Sequence, residues 1–485
     1  MHNKTIVQLV HSLRKKEFSC VELTQHFLER IQKFNSKLNC FITITSTLAI
    51  DHAKNIDKKT AQKSELISQP QSLLAGIPIA YKDNLYTCDV KTTCASKMLE
   101  NFIAPYDATI VARFKQADCI MLGKTNMDEF AMGATNETSY YGPVKNPWDI
   151  SKIPGGSSGG SAATVAARLA PCAIGTDTGG SIRQPAALCG VTGLKPTHGL
   201  LSNYGIAPFA PSLDTAGMLA QTAEDIALLL QYCVGHDNND PRSLTINPIN
   251  YIKKISTSIS GLKIGIPKEC LQHLNEQNND KKTQLYNDTI KILENLGAKI
   301  SNISLPHLQF AIPTYYAIAT AECTSSLEHY TSQNTDAFGA EVKRRLLFGN
   351  HVKKHGFDTS EQKQNAETIY IKAQKVRDLI KNDFIDAYKS IDVILTPTTP
   401  IDAPLIGQKA TDPNHPINKF LSDIYTAPAN LAGLPAISFP IGFADNMPIG
   451  MQLIGNYQQE ATLLNAVNQY QQQTCWHSLV PEQFA

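Results

Sequence analysis

The stretch GGSSGGSAATVAARLAPCAIGTDTGG, Gly155–Gly180, decides how the rest of the chain is read. A loop of glycines and serines runs into SAATVAARLA, whose small helix-forming residues predict a helix. CAIGTD then predicts a strand, which feeds a second glycine pair followed by Ser181. Helix and strand alternating between glycine loops is the order expected of an α/β protein.

The same alternation extends outward. LLAGIPIAYKDN reads as a strand that ends at Lys82, ATIVARFKQA as a helix and CIMLGKTN as the next strand. Near the N-terminus, Ser19 and Glu22 have capping-box spacing, with Phe27, Leu28, Ile31 and Phe34 following at helical intervals. The polar segment from Lys54 to Gln71 reads as exposed helix or loop. The polar segment His236–Asn250, with two prolines, is the best candidate for a boundary. Beyond it LKIGIP predicts a strand, TQLYNDTIKILENLGAKI a helix and strand, the region Glu361–Tyr388 a long helix, and IDVILTPTTP a further strand. LPAISFPIG and PIGMQLIG read as late strands that complete the first sheet, which is expected to be largely parallel or mixed.

Bulk composition narrows the functional classes. The 485 residues suggest about three domains by length alone, and 42% apolar residues are enough for a substantial core. Lys plus Arg number 44 against 43 Asp plus Glu, a formal charge of +1. That argues against binding nucleic acid through a basic face of this chain. The longest apolar runs, such as Ile226–Leu230, fall far short of a membrane span, and the N-terminus lacks the apolar core of a secretory signal. The eleven cysteines are scattered, with no C-x-x-C pair, and are expected to be reduced, buried thiols of a cytoplasmic protein.

Three readings of the Ile153–Ala167 stretch compete. A flexible linker is contradicted by the helix and strand patterns on both sides. A phosphate cradle is chemically sound, because a glycine loop at a helix start offers free N–H groups, as in small-molecule kinases; but no lysine closes the loop in Walker fashion. The third reading is catalytic. Ser181 follows Gly179 and Gly180 after a strand, where successive N–H groups can converge on one point as an oxyanion hole. A nucleophilic serine needs a base. Of the thirteen histidines, the one nearest to either loop in sequence is His198, and nothing in the sequence points to a Ser-His-Asp arrangement. Lys82 can serve instead if its environment depresses its pKa, and its place at the end of AGIPIAY would leave its amine in a poorly hydrated spot.

Lys82, Ser157 and Ser181, together with the signature from Gly155 to Thr197, resemble the amidase signature family, which uses a Ser–Ser–Lys triad. The resemblance covers nearly the whole chain. Within the family, GKTNMDEFAMG, TYYAIATAE, EVKRRLLFG and KAQKVRDLIKNDF look most like the A-type subunits of tRNA-dependent amidotransferases. The resemblance implies the amidase signature fold, α/β, with a large mixed β-sheet core flanked by helices on both faces. It implies one amidase domain over 1–485: an N-terminal helical part (1–75), a signature core (76–235), an insertion carrying glutamine-side residues (251–400) and closing strands and a helix (401–485).

The resemblance also implies the chemistry. Ser181 is the nucleophile, Ser157 (on a cis peptide bond in the family) relays protons, and Lys82 is the base. Backbone N–H groups around Thr178, Gly179, Gly180 and Ser181 hold the oxyanion. Glutamine is the ammonia donor: Arg345 clamps its α-carboxylate, Asp423 its amine, and Met132 and Tyr315 line its pocket, with Tyr315 and Tyr316 hard to separate. Asp177 and Arg183 are expected to brace the nucleophile loop. No metal or cofactor is expected on this chain; ATP and Mg are expected on a partner. The implied partners are B- and C-type subunits, with Glu-tRNA(Gln) reached mainly through them, and no membrane. Two segments depart from the pattern of the A-type relatives: LEHYTSQNTDAFGAE replaces a segment of the type RFDGVRYG, and the region of HGFDTSEQKQNAETIY looks extended.

Overall fold

A computed structural model describes residues 1–62, 72–247, 249–270, 280–331, 335–354, 368–408 and 422–485. Among these residues one mixed sheet of eleven strands organises the molecule. In chain order the strands are β1 (Phe41–Ile44), β2 (Pro78–Lys82), β3 (Ile120–Thr125), β4 (Cys172–Asp177), β5 (Thr192–Lys195), β6 (Thr215–Ala220), β7 (Lys263–Pro267), β8 (Lys299–Ile303), β9 (Val393–Pro397), β10 (Ala436–Ala444) and β11 (Met447–Gly455). In space they run β1-β3-β2-β4-β6-β5-β10-β11-β9-β7-β8. The β2–β3, β2–β4, β7–β8 and β7–β9 pairs are parallel and the others antiparallel. The sheet is therefore mixed, as expected.

The central strands are buried along their whole length because both of their faces are covered. Every residue of β2, β4, β5, β6, β9 and β11 is buried, whereas edge strand β8 has only exposed and half-buried positions. The helix Gly159–Ala166 is likewise buried at every position; its residues are small enough to lie against β4 and β2. The capping box at Ser19 forms as read: Ser19 Oγ accepts from Glu22 N–H at 3.1 Å and Glu22 Oε2 from Ser19 N–H at 2.7 Å, opening the helix Cys20–Leu38.

LPAISFPIG and PIGMQLIG become β10 and β11, which join β5 on one side to β9 on the other, as the late-strand reading expected. The polar segment after Cys233 holds no helix or strand among its described residues up to Tyr251, and the sheet continues beyond it through β7. The expected helix over Glu361–Tyr388 is seen as Ile369–Ala387; its earlier part, most of HGFDTSEQKQNAETIY, residues 332–334 of LEHYTSQNTDAFGAE and residues 63–71 of the Lys54–Gln71 segment lie outside the described residues. The short strands β1, β5 and β6 carry no clear sequence pattern of their own.

Candidate active site

Three chain segments converge where β2 and β4 end side by side. Ala80 and Tyr81 pair in parallel with Ala173 and Ile174, which brings Lys82 at the end of β2 close to Thr176 near the end of β4. Lys82 is wholly buried, and its Nζ lies 2.7 Å from Ser157 Oγ and 2.9 Å from Thr176 Oγ1. Burial away from water lowers its pKa to about 7, against the opposing pull of Asp128, Asp177 and Asp214. A strand-end lysine would ordinarily reach solvent; this one turns inward.

The first glycine–serine loop, Pro154–Gly160, is closed to outside ligands. Its Gly156–Ser157 peptide bond is cis. The N–H groups of Gly156, Ser158 and Gly160 already donate to Gln184 Oε1 (3.0 Å), Ser181 O (3.1 Å) and Asn126 O (3.1 Å). No residue of this loop or of the helix behind it is exposed, and the Gly156, Ser158 and Gly160 donors are already used by the protein. Ser157 Oγ faces Lys82, while Ser158 Oγ turns away and donates to Thr176 O at 3.0 Å.

The second loop, Thr178–Ser181, has the opposite character. The N–H groups of Thr178, Gly179, Gly180 and Ser181 donate to no acceptor among the described residues. The loop is instead held by its other groups. Thr426 Oγ1 donates to Gly179 O at 2.6 Å, and Thr178 Oγ1 to Asp214 at 2.6 Å. Gly180 has φ +141°, and a Cβ there would collide with Thr426. Below the loop, Arg183 grips Asp177 through Nε and Nη2, both at 3.0 Å, and also reaches Gln452 and Asn430. Burial alone would raise the Asp177 pKa; the Arg183 charge and its hydrogen bonds reverse this and hold it at about 2. Asp177 and Arg183 thus brace the loop from a wholly buried position.

Accessibility falls in the order of the expected roles: Ser181 is 8% exposed, Ser157 and Lys82 0%. Ser181 Oγ hydrogen-bonds no described residue, and no described histidine bonds either serine. The two serine loops are tied by Ser158 N–H donating to Ser181 O.

The residues expected on the glutamine side come from four further segments. Tyr315, on the helix Ala311–Ser326, lies over the second loop: a Cβ on Gly179 would fall 2.5 Å from its Cζ. Tyr316 turns instead toward Arg345, whose guanidinium sits 5.5 Å from its ring and 5.4 Å from the ring of Phe209. The pair that the sequence could not separate is therefore split, with Tyr315 at the nucleophile loop. Arg345 is buried on the helix Ala340–Lys354, and its Nε is held by Glu341 at 2.9 Å. Asp423 is buried; burial raises its pKa to about 7, against the pull of Arg345. Met132 is wholly buried, with its Sδ 3.5 Å from Cys323 Sγ.

Sequence reasoning alone does not single out Asp128, Thr176, Asp214, Glu341, Thr426 and Asn430. Asp128 stands in NMDEFAMG and Asp214 in LDTAGMLA, motifs visible in the chain, but only the folded geometry connects them to the serines.

The Amidase family matches residues 22–464. The A-type subunit of glutamyl-tRNA(Gln) amidotransferase from Coxiella burnetii is 52% identical over 501 residues, covering 99% of this chain and all of the relative. Among solved structures, the corresponding glutamyl-tRNA(Gln) amidotransferase subunit of Thermotoga maritima is 38% identical with a TM-score of 0.79, over 96% of this chain and 94% of that one. The native peptide amidase from Stenotrophomonas maltophilia is 28% identical with a TM-score of 0.81, over 97% of both chains.

Proposed function

Because the chain belongs to the amidase family, we propose that this amidase-type enzyme is the glutaminase subunit of a tRNA-dependent amidotransferase. It hydrolyses glutamine and supplies ammonia to a partner that converts Glu-tRNA(Gln) to Gln-tRNA(Gln). The observation that carries the chemistry is the wholly buried Lys82 amine 2.7 Å from Ser157 Oγ, beside a loop whose N–H groups meet no acceptor among the described residues. The substrate assignment draws support from the full-length relatives and from the buried Arg345 and Asp423.

Neutral Lys82 takes the Ser157 proton as Ser157 takes that of Ser181, and Ser181 Oγ bonds to the side-chain amide carbon of glutamine. The carbonyl π pair moves onto oxygen, where the Thr178–Ser181 N–H groups receive it. Lys82 returns its proton through Ser157 to the leaving nitrogen, and ammonia departs. Water, deprotonated along the same relay, then frees glutamate from the Ser181 ester. The Arg345 guanidinium takes the α-carboxylate and Asp423 the α-ammonium; Tyr315 packs between the two ends. ATP and Mg²⁺ act on a partner, and the chain works in the cytoplasm with B- and C-type companions.

A stand-alone amidase with the same triad is the second reading, supported by the likeness to the peptide amidase. Purification from the source organism separates them. The first reading expects two companion subunits and glutamine-derived ammonia that rises when Glu-tRNA(Gln) is added. Cleavage of simple carboxamides with glutamine inert under every condition would establish the second.

A further inference from the structure

The mechanism makes a positive charge on Lys82, whose side chain is wholly buried. We infer that Asp128 is the buried counter-charge for that ammonium, a positioning residue that acts on the reaction through Lys82 and Ser157. The inference rests on the relay proposed above.

Asp128 is wholly buried and stands directly behind the first serine. Its N–H donates to Ser157 O at 3.3 Å, and a Cβ on Gly156 would collide with its Oδ2. Burial pushes its pKa up, and hydrogen bonds that favour the ionised carboxylate oppose this from both sides. Oδ2 accepts from Asn136 N–H at 2.9 Å, and Oδ1 accepts from Thr138 Oγ1 at 2.8 Å and Thr138 N–H at 3.3 Å.

The other acidic groups around Lys82 have different attachments. Asp83, the next residue, is paired with buried Lys124 at 3.8 Å. Asp177 is neutralised by Arg183 at 3.0 Å. Asp214 lies under the second loop, accepting from Thr178 Oγ1, Phe209 N–H and Ala210 N–H. The Cys94 thiol is pushed up by burial and stays neutral. Asp128 has Lys82 as the cation that acts on it, and after burial it is the largest influence on Lys82. A buried charge without a counter-charge is costly, so an anion already fixed at this point lowers the barrier to forming the ammonium.

The test uses the full chain and a fluorophosphonate, which reports the reactivity of Ser181 without glutamine or partners. In the unmodified protein, labelling should rise with pH through about 7, as Lys82 loses its proton. In Asp128→Asn the ammonium loses its partner. The acid limb should move down by about one pH unit, and the plateau rate should fall about 10- to 100-fold. Thr138→Ala, which loosens the carboxylate but keeps its charge, should leave the limb in place. An unmoved limb in a folded Asp128→Asn protein overturns the inference, whatever the plateau does. If that variant does not fold, Asp128→Glu decides: it must keep the limb within about half a pH unit, and a full shift overturns the inference. Lys82→Ala separates the two levels. Labelling of Lys82→Ala at the unmodified rate removes the relay itself, whereas an unlabelled Lys82→Ala beside an unshifted Asp128→Asn removes only the role of Asp128.

Discussion

The loops Pro154–Gly160 and Thr178–Ser181 are built from nearly the same residues and use their backbones in opposite ways. Both are buried, but in the first the N–H groups of Gly156, Ser158 and Gly160 are bound to Gln184, Ser181 and Asn126. In the second, four successive N–H groups have no acceptor among the described residues, and the loop is fixed by Thr426, Asp214 and the Asp177–Arg183 pair beneath it. One loop is a structural wall that presents a single hydroxyl to a lysine. The other is a preorganised receptor for negative charge. Glycine content alone distinguishes neither; what does is where the donors end.

The comparison breaks most severely at the two triad serines. Ser181→Ala should lower ammonia release from glutamine by at least about 10⁴-fold, and Ser157→Ala by a comparable factor, because triad members act as a unit. Steady-state ammonia release measures both, and full activity in Ser181→Ala would remove the assignment of the second loop.

The bracing of the second loop is the next point of attack. Arg183→Met leaves the Asp177 carboxylate buried without its cation and should cost about 3–5 kcal/mol of stability, read by denaturant unfolding. A loss below about 1 kcal/mol would mean that the loop is held by something other than this pair.

The substrate side should respond differently. Asp423→Asn should raise KM for glutamine about 10- to 100-fold with a smaller change in kcat, because it removes an interaction made before the chemistry. The pH dependence separates the same roles. Lys82, depressed to about 7, is the inactive ammonium below that pH, so kcat should rise with pH through about 7. Asp423, raised to about 7, loses its charge as pH falls, so KM should rise over the same range. A kcat that falls as pH climbs through about 7 would reverse the protonation assigned to Lys82.

The smallest effect belongs to the serine next to the relay. Ser158→Ala loses the bond to Thr176 O and should cost about 1 kcal/mol of stability, with activity kept within a few-fold. A loss as large as that of Ser157→Ala would show that the first loop offers two working hydroxyls.

Much of this is legible in the sequence. Lys82, Ser157 and Ser181 stand at strand ends and loop tips marked by glycines, and the long apolar runs announce buried strands. The remainder depends on contacts between distant segments. Nothing local says that Tyr315, not Tyr316, lies on Gly179; that follows from the way the helix Ala311–Ser326 seats against the second loop. Nor does anything local say that Met132 lies beside Cys323, in a segment turned by left-handed backbone conformations at Phe130 and Ala131. Thr426 and Asn430 reach the loop from beyond β9, and four-residue strands such as β5 are too short to carry a pattern.

The central claim is that Ser181, activated through Ser157 by neutral Lys82, carries the substrate acyl group. Acid-quenching the chain during turnover of glutamine, followed by mass analysis of its peptides, tests this directly. The account predicts a glutamyl ester on the peptide containing Ser181, absent in Lys82→Ala. A glutamyl group on any other residue, with ammonia still released, would contradict it.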